Sequence, residues 1–446
     1  MSPPGRPKGE YRSAQHEGHP VRPPGRPKGE CRSAQHEGSP ASPPQPATMR
    51  TAAVALAITL VIQLFTALAA AAAAVLAPEI ARDLALSPKL IGVFVGLVYV
   101  GGATASLASG GFIARHGSIR VSQVCVLLCA AGLGLLPLAT SGAGAALVLL
   151  VLAPLVIGLG YGPITPASSH VLVRTAPPAR VALTFSIKQT GVPAGVALAG
   201  AGLPGLALAF GWRATVIAVA ALGIVIAAVA QTTRPRLDAD RSPEVRVSLG
   251  GVLGPLRLVA GNRDLSELAL TGFVYAATQM CLLSFLVVYL SEEMDFSLVA
   301  AGFALTVANL GGITGRIVWG AVADRFLRPQ VMLGLIGVAT GACGFLTAGF
   351  GTAWPTAALL AVCALFGATA IGWNGVQLAQ VARLAPVGHA GAVTGAAGFV
   401  TFAGVVVGPP AFALLAGVTG SYRAGFLAFG SMSLVCGLWL LHAHRK

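Results

Sequence analysis

The chain has 446 residues, of which 55% are hydrophobic and only 10% are charged, whereas a soluble domain carries roughly 25% charged residues. Its apolar residues occur in runs of about 20, the length that crosses the hydrocarbon core of a bilayer. This composition excludes a soluble globular protein and predicts an all-α polytopic membrane protein. The net charge of +14 comes from basic residues scattered through short loops, which membrane topology explains better than nucleic-acid binding does.

The first 48 residues differ from the rest of the chain. Residues 3–18 and 23–38 carry the same string, with one change from Tyr11 to Cys31. The string is rich in Pro, Gly, Arg and Glu and has no apolar face, so it cannot offset the entropy of ordering. We therefore predict that residues 1–48 form a disordered tail. Two interpretations stay open: Met49 is the physiological start, or the repeats form a genuine flexible tail.

Twelve apolar runs follow, in two sets of six on either side of a polar segment. They lie near residues 51–76, 89–110, 120–139, 145–168, 182–206 and 213–231, and near residues 266–290, 298–321, 331–350, 355–380, 390–415 and 424–441. Numbered in this order as spans 1–12, they predict two six-helix halves, residues 49–231 and 265–446, joined by a linker over residues 232–264.

The distribution of Arg and Lys predicts the orientation, because short cytoplasmic loops carry most of the basic residues. If both termini are inside, the outer loops hold only Arg82, Lys89, Arg213 and Arg423, together with several acidic residues. We therefore predict a protein of the cell (inner) membrane with both termini in the cytoplasm.

Two loops at equivalent places in the two sets share a pattern. The loop between spans 2 and 3 contains Gly110, Arg115, Gly117 and Arg120, and the loop between spans 8 and 9 contains Gly320, Asp324, Arg325 and Arg328. Gly110 and Gly320 are 210 residues apart, as are Arg115 and Arg325. An equal offset at equivalent positions indicates an internal duplication, which transporters use to build two halves around a central site.

Because of these loops and the number of spans, residues 50–446 resemble the major facilitator superfamily. The loop signature of that family runs Gly, three residues, Asp-Arg, one residue, Gly and then basic residues. The resemblance implies two pseudo-symmetric six-helix halves and secondary active transport by alternating access. Three positions depart from the family pattern. Ala114 replaces the Asp of the first loop, Leu327 replaces the Gly of the second, and Pro154 stands where many proton-coupled members carry an Arg.

Two segments carry a narrower resemblance. Residues 186–195 in span 5 and residues 372–375 in span 10 are similar to bacterial permeases of largely unassigned substrate. Span 8 is more loosely similar to oxalate–formate exchangers and monocarboxylate transporters. Those proteins have an Arg in span 8 that contacts the substrate carboxylate, and Arg316 occupies the corresponding place in this chain.

Two charged residues, Lys188 and Arg316, lie deep within the predicted spans, and both are positive. Lys188 lies eight residues after Arg180 and Arg316 lies eight before Asp324, so each is about 12 Å from the cytoplasmic edge at 1.5 Å per residue. Two cations that face each other near the midplane would form an anion site. The alternative is that either side chain extends to the interface, or that Arg316 only binds a loop carbonyl or Asp324.

Polar and aromatic residues at helical spacing complete the predicted substrate site. They are Tyr161, Gln189, Tyr275, Gln279, Asn309, Trp373, Asn374 and Gln377. The alternative interpretation is hydrogen bonding between helices, which is common in membrane bundles.

The chain lacks a phosphate-binding loop, a His-Glu-x-x-His motif and a pair of intramembrane carboxylates. Its cysteines show no disulfide or zinc pattern. We therefore predict no enzymatic activity, no cofactor and no metal, and expect a monomer whose partners are the bilayer and a small anionic substrate, without nucleic acid.

The leading hypothesis is a secondary transporter of a small organic anion with Lys188 and Arg316 as carboxylate ligands. Reorientation of the empty carrier would bury uncompensated positive charge, so exchange is the favoured mode and proton symport the second. The alternatives are proton-coupled efflux of drugs or metabolites and, from another class, a membrane-embedded enzyme or sensor.

Overall fold

The computed structural model describes residues 48–84, 90–139, 143–245, 253–351 and 353–444. The predicted disorder of residues 1–48 falls outside these ranges except for Thr48, and so do residues 246–252 of the predicted linker.

The described residues form α-helices, two short 3-10 turns and connecting loops. The helices are α1 (Met49–Val75), α2 (Ala77–Leu84), α3 (Leu90–His116), α4 (Ser118–Leu135), α5 (Ala143–Tyr161), α6 (Ile164–Thr175), α7 (Val181–Gln189), α8 (Gly191–Phe210), α9 (Trp212–Gln231), α10 (Arg234–Leu237), α11 (Leu253–Gly261), α12 (Arg263–Glu292), α13 (Leu298–Arg325), α14 (Pro329–Ala348), α15 (Thr356–Ala370), α16 (Asn374–Leu384), α17 (Ala390–Thr419) and α18 (Tyr422–Ala443).

Twelve stretches of these described helices are long and apolar enough to cross a membrane, which confirms the predicted span count. Spans 4, 5 and 10 each consist of two α-helices, α5 with α6, α7 with α8, and α15 with α16. The other spans contain one α-helix each, which in span 3 continues into a 3-10 turn at Leu136–Leu138. The short helices α10 and α11 lie within the predicted linker. Several spans extend beyond their predicted ends. Span 8, for example, continues to Arg325, because the signature residues form the last helical turns and leave only a short loop.

The interruptions of spans 4 and 10 are related by the duplication. Span 4 is interrupted at Gly162 and Pro163, and span 10 at residues 371–373, which is the same place after an offset of 210. Pro163 removes a backbone N–H from the helix ladder. Both interruptions also contain a glycine in close contact: a Cβ on Gly162 would lie 2.0 Å from the carbonyl oxygen of Gly102, and one on Gly372 would lie 2.8 Å from Trp319 Cδ1.

We use the name terminal face for the side of the helix bundle where α1 begins and α18 ends. Near it, the two halves pack through glycines. A Cβ on Gly110 would lie 2.5 Å from the Cβ of Ala392, and a Cβ on Gly320 or Gly375 would lie 2.5 or 2.2 Å from Ser186 Oγ. Span 2 thus contacts span 11 closely, and span 5 contacts spans 8 and 10. These contacts close the terminal face.

The signature loop of the second half adds charged contacts to this closure. The Asp324 carboxylate accepts hydrogen bonds from the backbone N–H groups of Ala182 (2.9 Å) and Leu183 (2.7 Å) at the start of α7. Arg383 Nη2 lies 3.7 Å from Asp324 Oδ1. In the first half Ala114 has no carboxylate, and its carbonyl oxygen accepts a bond from Ser242 N instead.

Of the other signature residues, Arg115 and Arg325 are exposed on the terminal face. Arg325 lies over the Phe326 ring, and Arg328 directly precedes α14. Gly117 precedes α4 with a φ of 89°.

The described start of the linker, residues 234–245, packs against the first half. Asp238 accepts the backbone N–H groups of Ile119 and Arg120 at 2.7 and 3.0 Å, so it caps α4. Asp240 Oδ2 lies 2.7 Å from both His170 Nε2 and Arg174 Nη1. Burial raises the pKa of Asp240, but the hydrogen bond from His170 and the charge of Arg174 outweigh it and hold that pKa below its usual 3.8.

Candidate functional site

Two adjoining cavities of about 120 and 360 Å³ lie between the halves, near the interruptions of spans 4, 5 and 10. Both are lined by Tyr99, Tyr161, Val192, Gln279, Met280 and Arg316. The larger cavity continues past Ala74 near the end of α1, Val95 near the start of α3 and Leu305 near the start of α13. It therefore extends away from the closed terminal face, toward the opposite face.

Arg316 is the charged residue at the junction of the two cavities, and only 2% of its surface is exposed. Its Nε donates to the Ile371 carbonyl oxygen at 3.0 Å, and its Nη1 donates to the Gln189 carbonyl oxygen. The third nitrogen, Nη2, has no hydrogen-bond partner among the described residues. Arg316 therefore binds two backbone carbonyls at helix interruptions, rather than a loop carbonyl or Asp324, and also presents positive charge to the cavity.

Both carbonyl groups are available to Arg316 because they lack the backbone N–H donor of a regular helix. In a continuous helix the Gln189 carbonyl would accept the N–H of residue 193, but Pro193 has none. Ile371 lies in the interruption of span 10, between α15 and α16. A buried carbonyl without a partner is costly, so the Gln189 carbonyl requires a donor from another helix. The Ile371 carbonyl also accepts a long hydrogen bond from Asn374 Nδ2 at 3.5 Å.

Lys188 occupies a different place from the one predicted. It is 1% exposed, and its Nζ donates to Gln63 Oε1 at 2.5 Å and to Gln189 Oε1 at 3.0 Å. It belongs to the lining of neither cavity. Lys188 thus lies behind the cavity wall, between spans 1 and 5. It is linked to the cavity lining through Gln189 and through Gln63, whose Oε1 also accepts a hydrogen bond from the lining residue Thr165 at 3.5 Å.

Glycines in the same segment bring span 1 close to span 5. A Cβ on Gly191 would lie 3.1 Å from the Leu60 carbonyl oxygen, and one on Gly195 would lie 2.2 Å from that of Leu64. The segment 186–195 therefore combines close helix packing, the polar side chains of Lys188 and Gln189, and a proline that exposes a carbonyl.

The wall formed by the second half is rich in amides. Gln279 Oε1 accepts hydrogen bonds from Trp373 Nε1 and Asn374 Nδ2, both at 3.2 Å. Gln377 Nε2 donates to the Leu268 carbonyl oxygen at 3.1 Å. These bonds fix the side chains and leave Gln279 Nε2, Asn374 Oδ1 and Gln377 Oε1 as a donor and two acceptors for a ligand.

Eight of the ten residues predicted for substrate binding line the cavities: Tyr161, Gln189, Gln279, Asn309, Arg316, Trp373, Asn374 and Gln377. Lys188 and Tyr275 do not. The Tyr275 hydroxyl donates to the Leu333 carbonyl oxygen at 2.7 Å, and its ring contacts Trp373 edge to face with the centroids 5.7 Å apart. Tyr275 therefore supports the wall from behind.

Other lining or supporting residues were not among those predicted. Tyr99, Thr401 and Phe402 line the smaller cavity, and the buried Gln63 holds Lys188. Gln63 could have been found as an amide within an otherwise apolar span. Phe402 has no such signal, because an apolar aromatic residue on a membrane helix is equally compatible with lipid contact.

The chemistry of the lining is that of a binding site. Among the described residues that line the two cavities, none is acidic and none is a histidine or cysteine. Within the described ranges, Asp264, Glu267 and His444 bring possible metal ligands within 4.8 Å of one another. These residues lie at the terminal face, where Glu267 is paired with Arg263 and His444.

Comparison with known proteins identifies the family. The family model of the Major Facilitator Superfamily matches residues 59–409 and 268–446. The hexuronate transporter of Bacillus subtilis (strain 168) is 22% identical over 379 residues, which cover 81% of this chain and 87% of that protein.

Solved structures show the same fold. The fucose:proton symporter of E. coli aligns with a TM-score of 0.68 at 15% identity and covers 89% of this chain and 100% of its own. The human organic anion transporter MFSD10 aligns with a TM-score of 0.68 at 17% identity and covers 90% of this chain and 100% of its own. With the two six-span sets and both signature loops, these matches show that the chain is a multi-pass membrane transporter, not an enzyme, and belongs to the Major Facilitator Superfamily.

Proposed function

We propose that this transporter carries a small organic anion with a carboxylate group across the membrane by alternating access. The observation that supports the proposal most is the position of Arg316, a buried cation on the wall of a cavity whose described lining contains no acidic residue. A guanidinium in a site largely shielded from water favours a carboxylate strongly. The amide groups and the indole of Trp373 suit a substrate that also carries hydroxyl groups, and the relative in Bacillus subtilis is a hexuronate transporter.

The substrate class is therefore a monocarboxylate with several hydroxyls, such as a sugar acid. Arg316 is the one cation among the described lining residues. A single cation fits a substrate with one carboxylate better than a substrate with two. The sequence also allowed proton-coupled efflux. The described cavity lining does not support it, because the lining contains a cation and no acidic residue.

We further propose that the terminal face is cytoplasmic, as the distribution of Arg and Lys indicates. The structure then corresponds to an outward-facing state, closed at the terminal face and with its cavity extending outward. A cysteine at Ser291 should react with an impermeant thiol reagent on intact cells, and one at Ser242 should not; the reverse pattern would contradict this orientation.

Binding and transport by the full-length protein test the substrate class. D-glucuronate should raise the melting temperature of the purified protein, whereas glucose, which lacks the carboxylate, should not. In liposomes, unlabelled D-glucuronate trapped inside should accelerate uptake of the labelled compound. Arg316→Gln should reduce this uptake at least about a hundredfold, because it removes a charge-assisted contact in a desolvated site.

Arg257→Gln is the matched control, because Arg257 is exposed on α11 and lies outside the cavity lining. It should transport at the parental rate. Equal stabilisation by glucose and glucuronate, or full uptake by the Arg316→Gln variant, would contradict an anion site at Arg316.

A further inference from the structure

Arg316 connects the two halves of the transporter. Arg316 on span 8 and Ile371 on span 10 both belong to the second half. Gln189, at the end of α7, belongs to the first half. The bond from Arg316 Nη1 to the Gln189 carbonyl oxygen is therefore an inter-half bond, and it lies at the cavity. The bond from Nε to Ile371 O stays within the second half.

This inter-half bond depends on Pro193. Residues 191–194 are helical, and Ala194 N donates to Thr190 O at 3.1 Å. An N–H at position 193 would consequently point at the Gln189 carbonyl oxygen, as in any regular helix. Because Pro193 lacks that N–H, the carbonyl is free to bind the guanidinium.

We propose that the substrate carboxylate competes with the Gln189 carbonyl for Arg316, so that substrate binding breaks the inter-half bond. The inference rests on the proposed function, since it needs a carboxylate substrate. A carboxylate is a stronger acceptor for a guanidinium than a neutral carbonyl is, and Arg316 lines both cavities. The released carbonyl of Gln189 then becomes an acceptor for a substrate hydroxyl.

Two consequences follow for transport. In the empty carrier the inter-half bond adds to the glycine contacts and the Asp324 contacts that hold the terminal face closed. Occupation of Arg316 by a carboxylate removes this bond and allows the halves to separate there, so loaded carriers reorient faster than empty ones. A neutral sugar of the same shape does not displace the carbonyl, which makes the carboxylate necessary for transport as well as for affinity.

Pro193→Ala tests this competition without removing a charge. The new N–H would bind the Gln189 carbonyl within span 5 and free Arg316 from it. Empty carriers should then reorient on the order of tenfold faster, the change expected for loss of one charged hydrogen bond. The acceleration of uptake by trapped D-glucuronate should shrink correspondingly, and the Kd for D-glucuronate should fall. Pro204→Ala is the matched control, because Pro204 lies within α8 and outside both cavity linings.

A spectroscopic distance gives a second, independent measurement. His116 and Val387 are exposed near the terminal face on opposite halves, and spin labels at cysteines in these positions report its opening. D-glucuronate should lengthen the distance in the parental protein, and D-glucuronamide, its neutral amide, should not. The empty Pro193→Ala variant should already populate the longer distance, whereas Pro204→Ala should match the parental protein.

The outcomes separate this inference from the proposed function. If no carboxylate binds the parental protein, the proposed function fails, while the distance in the empty Pro193→Ala variant still decides whether the inter-half bond restrains opening. The inference is overturned if carboxylates bind and Pro193→Ala changes neither the distance nor the acceleration of uptake. If this variant does not fold, equal opening by glucuronate and glucuronamide overturns it.

Discussion

The two halves of the transporter share a scaffold but differ in the chemistry that they contribute. Spans 4 and 10 are interrupted at positions that are 210 residues apart, and the contact of Gly110 with residue 392 corresponds to the contact of Gly320 with residue 182 at the same offset. These features depend on glycine, proline and close backbone packing. The duplication has therefore kept the elements that allow helices to bend and approach one another.

The polar residues have diverged between the halves. At the same offset Arg316 corresponds to Ser106, and Asp324 corresponds to Ala114. The second half thus supplies the cation of the cavity, most of its amide groups and the carboxylate that caps α7. Close packing thus defines the fold of each half, whereas most of the polar cavity lining and the charged part of the closure come from the second half.

The largest effect in this comparison is expected from the glycines at the terminal face. Gly110→Ala should reduce transport about tenfold or more, because its Cβ would lie 2.5 Å from Ala392 Cβ and 2.7 Å from Ala392 Cα, and overpacking typically costs about 1–3 kcal/mol. Gly320→Ala should cost less, since the nearest backbone atom to its Cβ is the Ala182 carbonyl oxygen at 3.0 Å, and the closest contact, with the Ser186 hydroxyl at 2.5 Å, involves a side-chain atom that can rotate.

Initial uptake rates and thiol labelling at the terminal face measure both effects. Gly205→Ala is the control, because nothing lies within 4 Å of a Cβ at that position. Parental transport by Gly110→Ala would show that the close contact between spans 2 and 11 is not needed for closure.

The next effect concerns the signature loops. Asp324→Asn should weaken closure of the terminal face by about 1–3 kcal/mol, because charged hydrogen bonds to the backbone of Ala182 and Leu183 become weaker. Ala114→Asp restores the family residue in the first half and should strengthen closure by roughly 1 kcal/mol if it caps α17 in the same way. Label distances across the terminal face should shift in opposite directions for the two variants. A shift in the same direction would show that the loops are not functionally equivalent.

A smaller effect is expected from Lys188. Because Lys188 lies behind the cavity wall and contacts the lining only indirectly, through Gln189 and Gln63, Lys188→Met should weaken D-glucuronate binding less than tenfold, far less than Arg316→Gln does. Titration calorimetry of the two purified variants gives this comparison directly. Equal losses would mean that Lys188 contacts the substrate as well, as the sequence hypothesis of two carboxylate ligands requires.

The smallest effect is expected where the linker packs against the first half. The pKa of Asp240 is held below 3.8 by His170 and Arg174, so its contribution to stability is present at neutral pH and is lost as the pH falls below about 3.8. Asp240→Asn should lower the melting temperature slightly at pH 7, since a partly exposed ion pair contributes at most about 1 kcal/mol. The difference from the parental protein should shrink in acid, and a constant difference would exclude this ion pair as its source.

Much of the site could be predicted from the sequence because membrane spans restrict what a polar residue can do. Arg316 was identified from its depth in span 8, and Gln279, Trp373, Asn374 and Gln377 from their helical spacing. Lys188 and Tyr275 met the same criteria, yet they lie behind the wall. Spacing shows which face of a helix a residue lies on. It does not show whether the side chain is already hydrogen-bonded to another protein group, as Lys188 is to Gln63 and Tyr275 is to the Leu333 carbonyl.

The twelve spans and the deep positive charge are visible in composition and spacing because polar groups are costly in hydrocarbon, and the duplication is visible in the equal offset of the two signature loops. Which of the two cations lines the cavity, and which carbonyl groups bind Arg316, depends instead on how the helices pack in three dimensions. The Gln189 carbonyl illustrates the reason. Pro193 shows in sequence that a backbone acceptor is left without its helical donor, but the donor that replaces it comes from a helix more than a hundred residues away and is fixed only when the two halves pack together.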